Sequence, residues 1–305
     1  MEQITKPHCG ARLDRLPDCR WHSSMFAIVA FGLLVCWSNA VGGLILAQLK
    51  ALGWTDNSTT ATFSAITTAG MFLGALVGGI IGDKTGRRNA FILYEAIHIA
   101  SMVVGAFSPN MDFLIACRFV MGVGLGALLV TLFAGFTEYM PGRNRGTWTS
   151  RVSSIGNWSY PLCSLIAMGL TPLISAEWNW RVQLLIPAIL SLIATALAWR
   201  YFPESPRWLE SRGRYKEAEK VMRSIEEGVI RQTGKPLPPV VIADDGKAPQ
   251  AVPYSALLTG VLLKRVILGS CVLIAMNVVQ YTLINWLPTI FMTQGIKEGA
   301  NKSLI

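Results

Sequence analysis

Residues 79–88 read Gly79-Ile-Ile-Gly82-Asp83-Lys84-Thr85-Gly86-Arg87-Arg88. An apolar run ends here in one acid and three bases, and a second apolar run begins at once. Charge is costly in hydrocarbon, so a charged turn this short marks a helical hairpin whose two ends share one aqueous side. Working outward, the gaps between charges show where else a helix of ~20 apolar residues fits. Arg20 to Lys50 is free of charge if His22 is neutral, and so are Asp56 to Asp83, Arg151 to Glu177, Arg181 to Arg200 and Arg265 to Lys297. Two further apolar stretches contain ionisable residues: Glu95 and His98 in one, Arg118 in the other. Seven spanning helices are expected, near 24–49, 61–82, 89–108, 113–137, 152–174, 182–201 and 266–293.

The composition agrees. Of 305 residues, 52% are hydrophobic and only 15% are charged, and the mean hydropathy is +0.43. Soluble domains carry roughly 25% charged residues, so a cytosolic enzyme, a nucleic-acid binder and a disordered chain are all excluded. The net charge is +9. The N-terminus and the 2–3, 4–5 and 6–7 loops hold 22 of the 27 basic residues. The positive-inside bias therefore puts the N-terminus in the cytoplasm and, after seven crossings, the end of this chain outside. The organisation expected is a cytoplasmic segment 1–23, six spans over 24–201, a cytoplasmic loop 202–265, a seventh span 266–293 and a short polar tail 294–305. Some twenty polar residues precede the first apolar run, which is itself long enough to span, so no cleaved signal peptide is expected.

The decad at 79–88 resembles the signature loop of the major facilitator superfamily. Three further pieces fall where its sugar-porter and metabolite-symporter branches have theirs. They are Arg118, Gly122, Gly124 and Gly126 on helix 4; Glu138, Pro141, Arg145 and Gly146 around the 4–5 loop; and Pro203-Glu204-Ser205-Pro206-Arg207-Trp208-Leu209 after helix 6. The resemblance implies an all-α membrane protein: the N-terminal six-helix half of the fold, a loop helix and a seventh span. It implies secondary active or facilitative transport of a small polar metabolite, sugar-like or an organic acid, by alternating access in the plasma (inner) membrane. The partners so implied are the substrate, the bilayer and, in symporters, protons; nucleic acid and cofactors are not among them. A family chain has two six-helix halves, so this one reads as a C-terminally truncated product. The alternative function is that of a non-transporting membrane fragment.

The resemblance also distributes roles. Gly79, Asp83, Gly86, Arg87 and Arg88 belong to the signature loop that governs gating. Glu138, Arg145, Glu204 and Arg207 resemble the cytoplasmic charge network whose pairs separate and re-form between access states. Where proton-coupled sugar porters pair the helix 4 arginine with a helix 1 aspartate, this chain has Arg118 but Ser38. Candidate substrate or proton residues are Asn39, Glu95, His98, Arg118, Asn157, Tyr160, Asn277, Gln280 and Tyr281, all polar groups set within spans. Glu95 and His98, three apart, lie on one helix face. Sugar porters carry a Gln-Gln pair early in helix 7; here the positions read Ala275 and Met276, while Trp286-Leu287-Pro288 looks more like organic-acid carriers.

Spacing adds two more expectations. Gly70, Gly74, Gly78 and Gly82 repeat every four residues, as do Gly122 and Gly126, so each set forms a stripe that lets a neighbouring helix approach closely. Ala218, Val221, Met222 and Ile225 recur at helical steps among charges, giving an amphipathic helix that Ser205-Pro206 precedes with a helix-start signal. Five prolines between 236 and 253 mark a linker. His8-Cys9 and Cys19 with His22 do not have zinc spacing, and the sequence shows no metal motif, nucleotide loop or catalytic constellation.

Overall fold

The computed structural model describes residues 6–36, 40–240 and 259–293, and among them every regular element is a helix. In chain order these are α1 (Cys9–Asp14), α2 (Arg20–Val35), α3 (Val41–Ala51), α4 (Asn57–Thr85), α5 (Arg87–Ala106), α6 (Met111–Tyr139), α7 (Arg145–Asn157), α8 (Ser159–Leu170), α9 (Ala176–Tyr201), α10 (Pro206–Ser211), α11 (Tyr215–Thr233) and α12 (Gly260–Thr293). Two compact units are formed, Met1–Ile242 and Ala243–Ile305. In the second, α12 has an apolar stretch, Gly260–Val279, long enough to cross a bilayer.

In the first unit, α4, α5, α6 and α9 are each long and apolar enough to span. Each of the other two expected spans is made of two shorter helices. The first consists of α2 and α3, with Cys36 closing α2 at ψ 40° and Ala40 preceding α3. The fifth consists of α7 and α8, which meet at Trp158. Pro161 explains that kink: it has no N–H to give the Asn157 carbonyl one turn back, and its ring crowds that oxygen. The ladder tightens locally, with the Trp158 N–H donating to the Ile155 carbonyl at 3.0 Å.

Large apolar side chains face outward along the long helices. Phe72 is 64% exposed and Trp199 64%. So broad an apolar surface is untenable in water and ordinary against lipid. Inside, one cluster at the α3 end joins Ile45, Leu49, Phe63, Leu114 and Trp180. A second, at the end bearing α10 and α11, joins Met25, Leu33, Phe136, Tyr139 and Trp148.

The two glycine stripes pack against each other. A Cβ at Gly74 would stand 2.0 Å from the Val123 carbonyl oxygen, and one at Gly126 would stand 2.0 Å from that of Met71. A Cβ at Gly70, Gly78 or Gly122 would stand 2.4, 2.5 or 2.3 Å from backbone. The α4–α6 seam is therefore backbone on backbone, and its dispersion contact depends on having no side chain there.

The N-terminal segment folds onto α10 and α11, a packing the sequence did not reveal. Cys9, Leu13 and Leu16 are buried against Trp208, Leu209, Met222, Ile225 and Val229. Arg12 donates to both Glu226 oxygens, at 3.0 and 2.7 Å, and to Glu219; Arg15 reaches Glu226 at 2.6 Å. Burial works to raise the Glu226 carboxyl, but the bonds from Arg12 and Arg15 outweigh it and hold it below its ordinary 4.5. A depressed carboxylate stabilises docking above that ordinary value and stops doing so as pH falls through the lowered native one. Acidification below 4.5 is thus expected to free α1. Arg12→Ala should do so at neutral pH, losing about 2 kcal/mol of charged hydrogen bonding and raising amide exchange over residues 9–16 roughly thirtyfold. Exchange unchanged in the variant would contradict this.

Candidate functional site

The turn at 79–88 is held by an acid from another loop. α4 runs to Thr85, so Asp83 lies in its last turn, inside the helix rather than past its expected boundary at 82. Gly86, at φ 99°, is the whole connection to α5. Glu204 Oε1 accepts the N–H groups of Arg87 at 2.8 Å, Arg88 at 3.2 Å and Ser205 at 3.0 Å. The carboxylate thus satisfies the orphan donors and the positive end of the α5 dipole. A Cβ on Gly86 would stand 2.3 Å from Glu204 Oε2. Gly86→Ala combines that clash with a left-handed strain, so a loss of about 2 to 3 kcal/mol is expected in detergent unfolding.

Arg87 links Asp83 (2.7 Å) to Glu138 (2.9 Å). The Asp83 carbonyl accepts from Trp208 Nε1 at 2.7 Å and from Arg212. These groups line a cavity of about 360 Å³ that Arg207 also borders. Of the four residues expected to form one charge network, Glu138 and Glu204 both engage Arg87. Arg207 instead pairs with Asp14 at the end of α1 (2.9 Å), and Arg145 donates to the Met140 carbonyl at 3.4 Å. The partners Asp14 and Arg87 became visible only with the packing of α1 and the fold of the turn. Gly79 lies near Val130, with room for a Cβ.

Deeper in the bundle, polar groups gather around the break between α2 and α3. Arg118 is buried, its guanidinium 4.4 Å from the centroid of the Phe63 ring and donating to Met121 Sδ at 3.6 Å. It lies against α3: a Cβ on Gly42 would stand 2.2 Å from Nη2. On the α2 side of the break, Glu95 and His98 are fully buried, with His98 Nδ1 3.5 Å from Glu95 Oε2. Cys36 Sγ donates to Glu95 Oε1 at 3.8 Å. Sequence reasoning missed this third member because Cys36 is 59 residues away from Glu95 and reads as an ordinary apolar position in a span. At the other break, Asn157 is exposed and Tyr160 half-buried. In α12, Asn277 donates to its own Leu273 carbonyl at 2.7 Å. Asn39 and the side chains of Gln280 and Tyr281 fall outside the described residues.

A helical bundle with an apolar outer face, helix breaks within its span and buried ionisable groups beside one of them is an integral membrane protein whose interior is built for polar contact. The chain belongs to the Major Facilitator Superfamily, whose profile matches residues 20–304. It is 99% identical over 97% of its length to "Putative metabolite transport protein YdjK" of Escherichia coli K12, covering 64% of that protein. It is 39% identical over its whole length to "Inner membrane metabolite transport protein YdjE" of the same organism, covering 66% of it. The chain thus spans about two thirds of the length of these relatives. Among solved structures, the xylose transporter XylE from E. coli, in a partially occluded inward-open conformation, superposes with a TM-score of 0.60 at 21% identity. That match covers 70% of this chain and 57% of the transporter, and supports the fold.

Proposed function

We propose that the chain forms the N-terminal half of a carrier that moves a small polar metabolite, a sugar or an organic acid, across the plasma membrane by alternating access. One observation carries this reading: α2 ends at Cys36 before α3, α7 gives way to α8 at Trp158, and a buried arginine lies against α3. Interrupted helices expose backbone polar groups only where they line a cavity. The glycine seam of α4 and α6 supports it too, since smooth backbone contact lets a half move as one body. The basic end carrying α1, α10 and α11 faces the cytoplasm in this reading, and the chain's last residue lies outside. Arg118 is the counter-charge for a carboxylate or a polarised hydroxyl. No chemical step is assigned to the chain. The relatives are named as metabolite transport proteins, which supports the solute class, and a structural neighbour, XylE, is described as a proton:xylose symporter, which supports a proton as the coupling ion.

The 64% share of the first relative favours a second reading, in which these 305 residues alone move no solute. Proteoliposomes separate the two. Vesicles holding either this chain or the 99% identical relative are given labelled pentoses, hexoses and hydroxy acids, with and without an imposed pH gradient. Gradient-dependent accumulation of one of them by the relative, and none by this chain, fits both proposals. Accumulation that ignores the gradient removes the proton. No uptake of any solute in either case overturns transport.

A further inference from the structure

The buried trio at the end of α2 has a geometry that hydrogen bonding alone does not require. Cys36, Glu95 and His98 each offer one ligand atom, and the three atoms lie within 4.8 Å of one another. Among the described residues no other three histidines, cysteines and acids come together in this way. With zinc-type bond lengths of about 2.0–2.1 Å to nitrogen, 2.0–2.2 Å to oxygen and 2.3 Å to sulfur, tetrahedral ligands stand about 3.4 Å apart for N and O and about 3.6 Å apart for S and O. The structure has 3.5 Å from His98 Nδ1 to Glu95 Oε2 and 3.8 Å from Cys36 Sγ to Glu95 Oε1. Those two separations run to the two oxygens of one carboxylate, and with all three ligand atoms within 4.8 Å of one another the side chains close on an ion by shifts of up to about 1.2 Å.

We infer that Cys36, Glu95 and His98 form a binding site for a soft or borderline divalent cation of the zinc class. The electrostatics favour it. The site lies eight to eleven residues into α5 from Arg87, about 12 to 17 Å along the helix and so in the middle of the hydrocarbon. A lone charge there is costly. A thiolate and a carboxylate together carry two negative charges, a neutral imidazole none, and a divalent ion cancels them. The Cys36 thiol gives up its proton to solvent as its sulfur bonds the ion. Around the trio, α6 presents Gly124, packed on the His98 backbone, and α9 presents the buried hydroxyl of Ser191 beside Cys36. The ion's fourth position is left to that hydroxyl or to water. Occupancy ties the end of α2 to α5 and so fixes one side of the first span's break. None of this depends on the transport reading.

Cys9, Cys19, Cys117, Cys163 and Cys271 are also free thiols; the two near the N-terminus stand beside an acid and a histidine, which sets the controls. Cys9 is buried under α11; burial and then the neighbouring Glu210 push its thiol up to about 12, so it stays protonated. Cys19 Sγ sits 3.5 Å from His22 Nδ1. The experiment is cadmium binding by the chain in lipid nanodiscs, read as metal per chain and as the ultraviolet sulfur-to-cadmium charge-transfer band. One ion per chain with a one-thiolate band is expected. Cys36→Ser and Cys36→Ala should each abolish the band, Glu95→Gln and His98→Asn should each weaken binding at least tenfold, and Cys19→Ser should leave both readouts unchanged. Helix content by circular dichroism verifies that each variant is folded. No band in the parent chain, a band that survives Cys36→Ser, a band lost in Cys19→Ser, or affinity indifferent to Glu95→Gln and His98→Asn would each overturn the site.

Discussion

Gly74→Val is expected to part α4 from α6. The added carbons would collide with the Val123 carbonyl oxygen, which already stands 2.0 Å from the place of a Cβ. Backbone cannot rotate away as a side chain can, so the helices must part along the seam and Gly70, Gly78, Gly122 and Gly126 lose their contacts with them. Overpacking a soluble core costs about 1–3 kcal/mol. In lipid, where close packing is the main attraction between helices, the loss should reach at least ~3 kcal/mol. Thermal unfolding in mild detergent should show a large fall in midpoint and a rise in aggregated protein. Gly169→Ala on α8, where a Cβ would meet nothing within 4 Å, is the matched control. It should be neutral or raise the midpoint, because alanine favours helix by about 1 kcal/mol over glycine. Equal behaviour of the two variants would refute the seam.

The second large effect is at Arg118. Arg118→Leu keeps bulk over Phe63 and removes the positive charge beside the first span's break. The protein should fold, since removing a buried charge together with its desolvation cost is often neutral or stabilising. Binding of an anionic or polyhydroxylated solute should fall at least ~100-fold, the scale of losing one partner of a buried charged contact. Arg118→Lys keeps the charge but not the planar fork, and should recover only part of it. Both can be measured by tryptophan fluorescence on the relative that is 99% identical to this chain. Solute affinity equal to that of the parent in Arg118→Leu would remove Arg118 from the site.

Much of the fold was legible because lipid imposes a simple code. Long apolar stretches pointed to α4, α5, α6, α9 and α12, each long and apolar enough to span, and the four-residue glycine period located the seam, since about 3.6 residues per turn puts such residues on one face. Ala218, Met222 and Ile225 announced the buried face of α11 in the same way. What stayed hidden was non-local. Nothing local in Cys9 to Leu16 says that this segment docks on α11, because its partners lie far along the chain. The charge network was read as four residues, yet Arg145 and Arg207 engage groups other than Glu138 and Glu204. Arg87, assigned to the turn, is what joins those two acids. The kink at Trp158 has a local cause in Pro161 that the continuous span expected over 152–174 left out, whereas no proline marks the parting of α2 from α3. Of the trio, Glu95 and His98 were visible as a pair on one face, and Cys36 was not.

The central claim is that the helix breaks line a path reached from both sides of the membrane. Asn157, exposed at the kink of the fifth span, is the place to measure it, and the measurement needs no knowledge of the solute. A single cysteine is placed at the matching position of the 99% identical relative, its native cysteines replaced by serine. Right-side-out and inverted vesicles are then treated with a membrane-impermeant maleimide. The account expects labelling from both faces. Labelling from one face only, or from neither, would contradict it.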